Sequence, residues 1–94
     1  LKIMPNALHI EHSTQIEGLQ VIQPEVFRDA RGEYLCAYNT EQYQLTYKNQ
    51  LLMFKEDDFS VSKKNVLRGL HGDNKTAKLI QCIVGEVFFA VVDL

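Results

Sequence analysis

No stretch of this 94-residue chain is apolar for long. The longest such run, Val87 to Val92, falls far short of the ~20 residues that cross a bilayer as a helix and reads as a strand. Basic tracts are missing as well. Lys63 and Lys64 are the only adjacent basic pair, and 10 Lys and Arg stand against 12 Asp and Glu, a formal net charge of -2. That balance leaves no general electrostatic footprint for nucleic acid. The first residues carry no basic region followed by an apolar block, the form a secretion signal takes, so the expectation is a cytoplasmic protein. Cysteine is scarce. Cys36 and Cys82 have no CxxC spacing and sit in apolar runs, YLCAY and LIQCIV, which reads as buried packing. A disulfide needs an oxidising compartment that nothing else in the sequence supports. No metal is expected: His9 and His12 lie far from His71 in the chain, and no HxH or HxxxH pattern stands near His71. No repeat and no low-complexity segment appears.

What is present is an ordinary globular mixture, 46% hydrophobic and 23% charged, which argues against disorder. The length allows one small domain. A chain of this size buries only about 60–65% of its unfolded surface, so a lone core would be marginal. The sequence opens on Leu1 and stops at Leu94 inside an apolar run, which favours a piece of something larger.

Residues 1–17 are mixed and polar and read as an arm, with a short strand near 8–12. Residues 19–22 are β-like and stop at Pro24, which cannot donate to a ladder. Val26 and Phe27 continue the extended path. Arg28-Asp29-Ala30-Arg31-Gly32 is a polar turn with Gly32 supplying backbone freedom, and 33–38 is the next strand. Asn39 or Thr40 can cap a short helix to about Tyr47. Residues 51–54, 56–61 and 66–70 read as strands, with a turn at Asn65. Gly72-Asp73-Asn74-Lys75 is a loop. Residues 78–84 and 86–93 read as a hairpin about Val84-Gly85, the strongest in the chain. Short, closely spaced strands with one helix at most predict an all-β sandwich or barrel. The last strand is apolar on both faces in places and needs cover on two sides.

One segment is unusually specific: Ser62-Lys63-Lys64-Asn65-Val66-Leu67-Arg68-Gly69-Leu70-His71-Gly72-Asp73. Arg68 and His71 bracket a Gly-Leu pair. Residues three apart on a strand face opposite ways unless Gly69 bends it or His71 lies at its end. Lys78 opens the following strand. Convergence of the three would place a histidine, which exchanges a proton near neutral pH, between two cations. The blander reading is a solvated turn histidine with edge charges at Arg68 and Lys78.

The run Phe27-Arg28-Asp29-Ala30-Arg31-Gly32, then SKKNVLRGLH, then KLIQCIVGEVFFAVVDL, resembles the dTDP-4-dehydrorhamnose 3,5-epimerase family, whose usual forms read VFxDxRGxF, SxxGVLRGLHYQ and GKLVRVVRGEVFDVAVDLR. The likeness runs from about Gly18 to Leu94. It implies a mostly-β, jelly-roll (cupin-like) antiparallel sandwich, incomplete at the carboxyl end of this chain. It also implies a homodimer whose amino-terminal strands reach across to the partner. Family members act on nucleotide-diphosphate-linked 4-keto-6-deoxy sugars in carbohydrate biosynthesis, and no metal or organic cofactor is implied. By position, His71 resembles the catalytic base. Arg68 and Lys78 resemble the cations near the sugar and phosphates, and Arg31 the arginine on the nucleotide diphosphate.

The chemistry suits those residue types. A 4-keto group acidifies the C–H bonds at C3 and C5, and a neutral histidine in reach can remove such a proton. A fixed cation stabilises the resulting enolate in a water-poor pocket. Guanidinium gives bidentate, permanently charged contacts to a diphosphate. Protonation from the opposite face inverts the centre. The family uses a tyrosine there, downstream of the VVDL strand, as is the aspartate that supports the histidine. The residues in hand therefore match the base half of the site.

Three positions depart from the family pattern. A Gln-Asp-Asn run is Glu56-Asp57-Asp58 here, a glutamate after RGxFxE is Cys36, and HYQ is His71-Gly72-Asp73 with a shorter loop to Lys78. An amide donates and accepts, whereas an ionised carboxylate only accepts. Glu56 and Asp58 therefore suit a ligand that presents donors, as guanine does and thymine does not. The HGD form also resembles epimerases acting on GDP-linked heptoses. The alternatives to an epimerase are a non-catalytic nucleotide-sugar binding module or degenerate relative, a related keto-isomerase, and a structural domain with no small ligand.

Overall fold

The computed structural model describes residues 8–94, so the first part of the expected arm, with Pro5, lies outside the described residues. The chain divides into two units, one ending at Met53 and one beginning at Phe54.

All regular structure among the described residues is antiparallel strand, and it lies in the first unit. β1 (His9–His12) pairs with β2 (Gln20–Gln23), with Ile10 opposite Ile22 and His12 opposite Gln20. The strand expected near residue 10 is there, and β2 ends at Gln23, just before Pro24, as a residue without an N–H requires. The link between them is pinned by Ser13, whose Oγ accepts the N–H groups of Gln15 (3.2 Å) and Ile16 (3.0 Å). β3 (Val26–Asp29) pairs with β4 (Gly32–Leu35) across Ala30 and Arg31, with Phe27 opposite Tyr34 and Asp29 opposite Gly32. Gly32 sits at φ +129, so the backbone freedom expected of it is used. β5 (Thr46–Tyr47) and β6 (Gln50–Leu51) form a third hairpin. Its turn residues Lys48 and Asn49 both have positive φ (50° and 62°), the left-handed pair that matches the twist of a tight hairpin.

The helix expected after Asn39 does not form. Asn39 does cap a turn: its Oδ1 accepts the Gln42 N–H (2.6 Å), and its carbonyl accepts that of Tyr43 (3.0 Å). One turn is all that follows. Tyr43 and Leu45 are the two buried apolar residues of the described chain, and their spacing of two suits an extended strand better than a helix. The Tyr43 hydroxyl donates to the Cys36 carbonyl, and the Leu52 N–H donates to the Leu45 carbonyl at 2.8 Å. These contacts draw 43–45 into the hairpin. Burial and the neighbouring Cys36 raise the Tyr43 phenol above its ordinary value, and its ring lies 5.5 Å from that of Tyr38.

The second unit carries turns but no ladder among its described residues. The expected turn at Asn65 is present, at φ +67, with the Val66 N–H donating to the Lys63 carbonyl at 3.3 Å. The chain also bends at Val84-Gly85, with Gly85 at φ +89. The strands expected at 56–61, 66–70, 78–84 and 86–93 are absent, so the strongest expected hairpin has its turn without its pairing. A strand that is apolar on both faces is stable only between covering layers. Here Leu67, Val84 and Phe88 are all almost fully exposed. Cys82 is exposed and Cys36 half-buried, so neither is the buried packing residue expected; both are free thiols. No helix among the described residues is long and apolar enough to cross a membrane.

Candidate functional site

Arg31 belongs to the first unit. The β3–β4 register closes the chain at Asp29 and Gly32, which leaves Ala30 and Arg31 at the tip of the hairpin. There the Asp29 carboxylate meets Arg31 twice. Oδ1 accepts the Arg31 backbone N–H at 2.8 Å, and Oδ2 accepts Nε–H at 3.0 Å and an Nη2 hydrogen. That pairing holds the Asp29 carboxyl below its usual range and raises Arg31 further above its own. The Arg31 side chain is still 90% exposed. One pair inward, Arg28 and Glu33 face each other across the strands, with Nε 2.9 Å from Oε1. A shallow concavity beside these strands is lined by Pro24, Phe27, Tyr34 and Cys36. None of the six expected site residues borders it.

Glu56, Asp58, Arg68, His71 and Lys78 all belong to the second unit, and all are exposed. Glu56 and Asp58 come together. The hydrogen bond that protonated Glu56 donates to the Asp58 carboxylate, and then the charge of Asp58, push the Glu56 carboxyl above its ordinary value, as expected where two carboxylic groups share a proton. Arg68 donates from Nε to the Ser62 hydroxyl at 2.8 Å, which ties the two ends of the 62–68 segment. Gly69 sits at φ +104 and leaves the extended path between Arg68 and His71. A Cβ placed on it would stand 3.6 Å from His71 Nδ1, so the imidazole folds back over this glycine.

The loop after His71 is organised by Asp73. Its Oδ1 accepts the N–H groups of Lys75 and Thr76, each at 2.7 Å, and its Oδ2 accepts the Thr76 hydroxyl at 3.0 Å. The Lys75 N–H and then the two Thr76 groups hold the Asp73 carboxyl below its usual range, and the charge of Lys78 adds to this. The clasps at Asp29 and Asp73 were not singled out from the sequence. The signal was there: an aspartate two or three residues before groups it can accept from is a familiar turn former. Among the described residues no three His, Cys, Asp or Glu side chains gather in a way that would hold a metal ion.

The comparisons with known proteins follow these same segments. The family model for dTDP-4-dehydrorhamnose 3,5-epimerase matches residues 13–94. A protein of that name from Salmonella typhimurium is 42% identical over 84 residues, covering 86% of this chain and 45% of the relative. One from Methanothermobacter thermautotrophicus is 38% identical over 84 residues, covering 86% of this chain and 44% of the relative. A dTDP-4-dehydrorhamnose 3-epimerase from Streptomyces niveus is 35% identical over 82 residues, covering 84% of this chain and 39% of the relative. The chain thus spans less than half the length of these relatives. No solved structure matches. The matched range takes in the Asp29–Arg31 hairpin tip, the Arg68–His71 stretch and Lys78, and the chain belongs to the dTDP-4-dehydrorhamnose 3,5-epimerase family.

Proposed function

We propose that this chain carries the base half of a nucleotide-sugar epimerase site. The observation that supports this best is the family match over residues 13–94, a range that contains Arg31, Arg68, His71 and Lys78. In this reading the substrate is a nucleotide-diphosphate-linked 4-keto-6-deoxy sugar. His71 takes the proton from C3 or C5, the C–H electron pair moves into the ring, and the keto oxygen becomes an enolate. Lys78 and Arg68 face that oxygen and the nearer phosphate, where a positioned cation is worth most because charge develops there. Arg31 binds the diphosphate through parallel N–H groups. Return of a proton to the opposite face of the same carbon completes the inversion. The names of the relatives include both 3,5- and 3-epimerases, so inversion at C3 is the step common to them.

Glu56 and Asp58 meet the nucleotide base in this reading, as acceptors. The fold that would hold the site is a cupin-like jelly roll, paired as a homodimer that exchanges amino-terminal strands. Two free thiols suit a reducing cytoplasm. The test of the base is His71→Asn in a form that turns over substrate, run in deuterated water. Loss of deuterium uptake at C3 and C5, by roughly 10²–10⁴-fold, is the expected result. Undiminished uptake removes His71 from the role.

A further inference from the structure

We infer that Asp29 is a positioning residue that holds the Arg31 guanidinium ready for the diphosphate; this rests on the reading of Arg31 just given. One carboxylate fixes both ends of the same residue. Oδ1 accepts the Arg31 main-chain N–H at 2.8 Å, which sets the hairpin tip. Oδ2 accepts Nε–H at 3.0 Å together with a hydrogen on Nη2. Among the described residues no other polar partner of the Arg31 side chain is found, and that side chain is 90% exposed. An arginine so exposed would otherwise sample many rotamers and lose that freedom on binding a phosphate.

The geometry also decides which part of the guanidinium is offered. A guanidinium has five N–H groups. Nε–H and the adjacent Nη2 hydrogen form its side edge, and Asp29 occupies that edge. The end edge, with one hydrogen each from Nη1 and Nη2, stays open, and so does the second Nη1 hydrogen. Those three groups are enough for a bidentate contact to phosphate oxygens. Asp29 thus spends one edge of the fork to aim the other. The ion pair with Arg31 and the backbone N–H both favour the ionised carboxylate, so the clasp stays charged at neutral pH.

Asp29 also has an opposing effect, because its negative charge repels a diphosphate. The Arg31 guanidinium lies between the two anions in this arrangement, so its positive charge attracts both and offsets the repulsion.

The test is calorimetric titration of the chain with GDP and, separately, with dTDP at about 0.15 M salt, read on the one that the parent chain binds more tightly, using Asp29→Asn, Arg31→Ala and the double variant. Asparagine keeps an oxygen for the Arg31 backbone N–H, so the hairpin tip survives while the ion pair is lost. Asp29→Asn is expected to weaken binding roughly two- to fivefold, the span of an exposed ion pair. In the Arg31→Ala background it should change nothing further. If Arg31→Ala weakens binding while Asp29→Asn leaves it equal or tighter, the positioning role is overturned and the reading of Arg31 stands. An equal loss from Asp29→Asn in both backgrounds would mark a merely structural effect and would also overturn it. Undiminished binding by Arg31→Ala, or no binding by the parent chain, overturns the reading of Arg31 and the inference with it.

Discussion

The carboxyl of Glu56 stands against that of Asp58, two residues on, and the hydrogen bond between them lifts Glu56 above its usual value near 4.5. The charge of Asp58 acts in the same direction. In the usual family pattern these two positions carry a glutamine and an asparagine, which repel neither each other nor a ligand's acceptors.

The sign of the effect on stability follows from that direction. A carboxyl whose value is raised in the folded chain holds its proton more tightly there than in the unfolded chain. The stabilisation is complete below the unfolded value and is lost as pH rises through the folded one. At neutral pH the pair is therefore a repulsion. Carbon-detected NMR titration should place the Glu56 midpoint above 4.5, and Asp58→Asn should bring it back to or below that point. A midpoint that does not move in the variant would assign the shift to something other than Asp58.

The same two carboxylates set an expectation for the nucleotide. Once ionised they only accept hydrogen bonds, and guanine presents adjacent N–H donors where thymine does not. Calorimetric titration at neutral pH should favour GDP over dTDP for the parent chain. Glu56→Gln with Asp58→Asn, which restores amides, should move the preference toward dTDP. A clear preference of the parent for dTDP would sink this assignment.

Local chemistry was the legible part of the sequence. Pro24 ends β2, Gly32 opens the β3–β4 turn, and Asn65 and Val84-Gly85 bend where expected. Each of these depends on one or two residues and on backbone sterics. The capping signal at Asn39 is genuine, yet the short helix does not form because the contacts of Tyr43 and Leu45 with Cys36 and Leu52 outweigh it. Contacts between residues seven apart, beyond the reach of a helical turn, override local propensity here. The strands expected at 78–93 have the right composition, but apolar alternation says only that a strand would be stable if paired and covered. For the site, the residue types stood in the motifs. The clasps at Asp29 and Asp73 became apparent only with the turns that bring carboxylate and N–H together.

Tyr43 is the most buried apolar residue of the described chain, with 3% of its surface exposed. Its hydroxyl donates to the Cys36 carbonyl, joining the end of β4 to the segment that leads into β5. Tyr43→Phe keeps the packing and removes that donor, leaving the carbonyl to find another partner. The expected cost is about 0.5–1.5 kcal/mol of stability in denaturant titration. An unchanged midpoint would mean that the ring alone secures the segment.

Gly18 offers a sharper test of the first unit. It sits at φ +84, where side chains are disfavoured, and a Cβ there would stand 2.5 Å from Tyr47 Cε2 and 2.7 Å from Cδ2. Two separable costs follow for Gly18→Ala. The left-handed backbone costs about 1–2 kcal/mol whatever the neighbours do. The contact adds to it unless the ring moves, and the ring is restrained: Tyr47 is paired with Gln50, its ring lies 5.3 Å from the Lys48 ammonium, and the neighbouring Thr46 carbonyl accepts from Gln20 Nε2 at 3.2 Å. Gly18→Ala should therefore destabilise the chain by roughly 2–3 kcal/mol in all. In a Tyr47→Ala background only the backbone part should remain. An equal cost in both backgrounds would show that the ring swings aside freely, and the packing of Gly18 against Tyr47 would then contribute nothing to holding β5 beside the β1–β2 link.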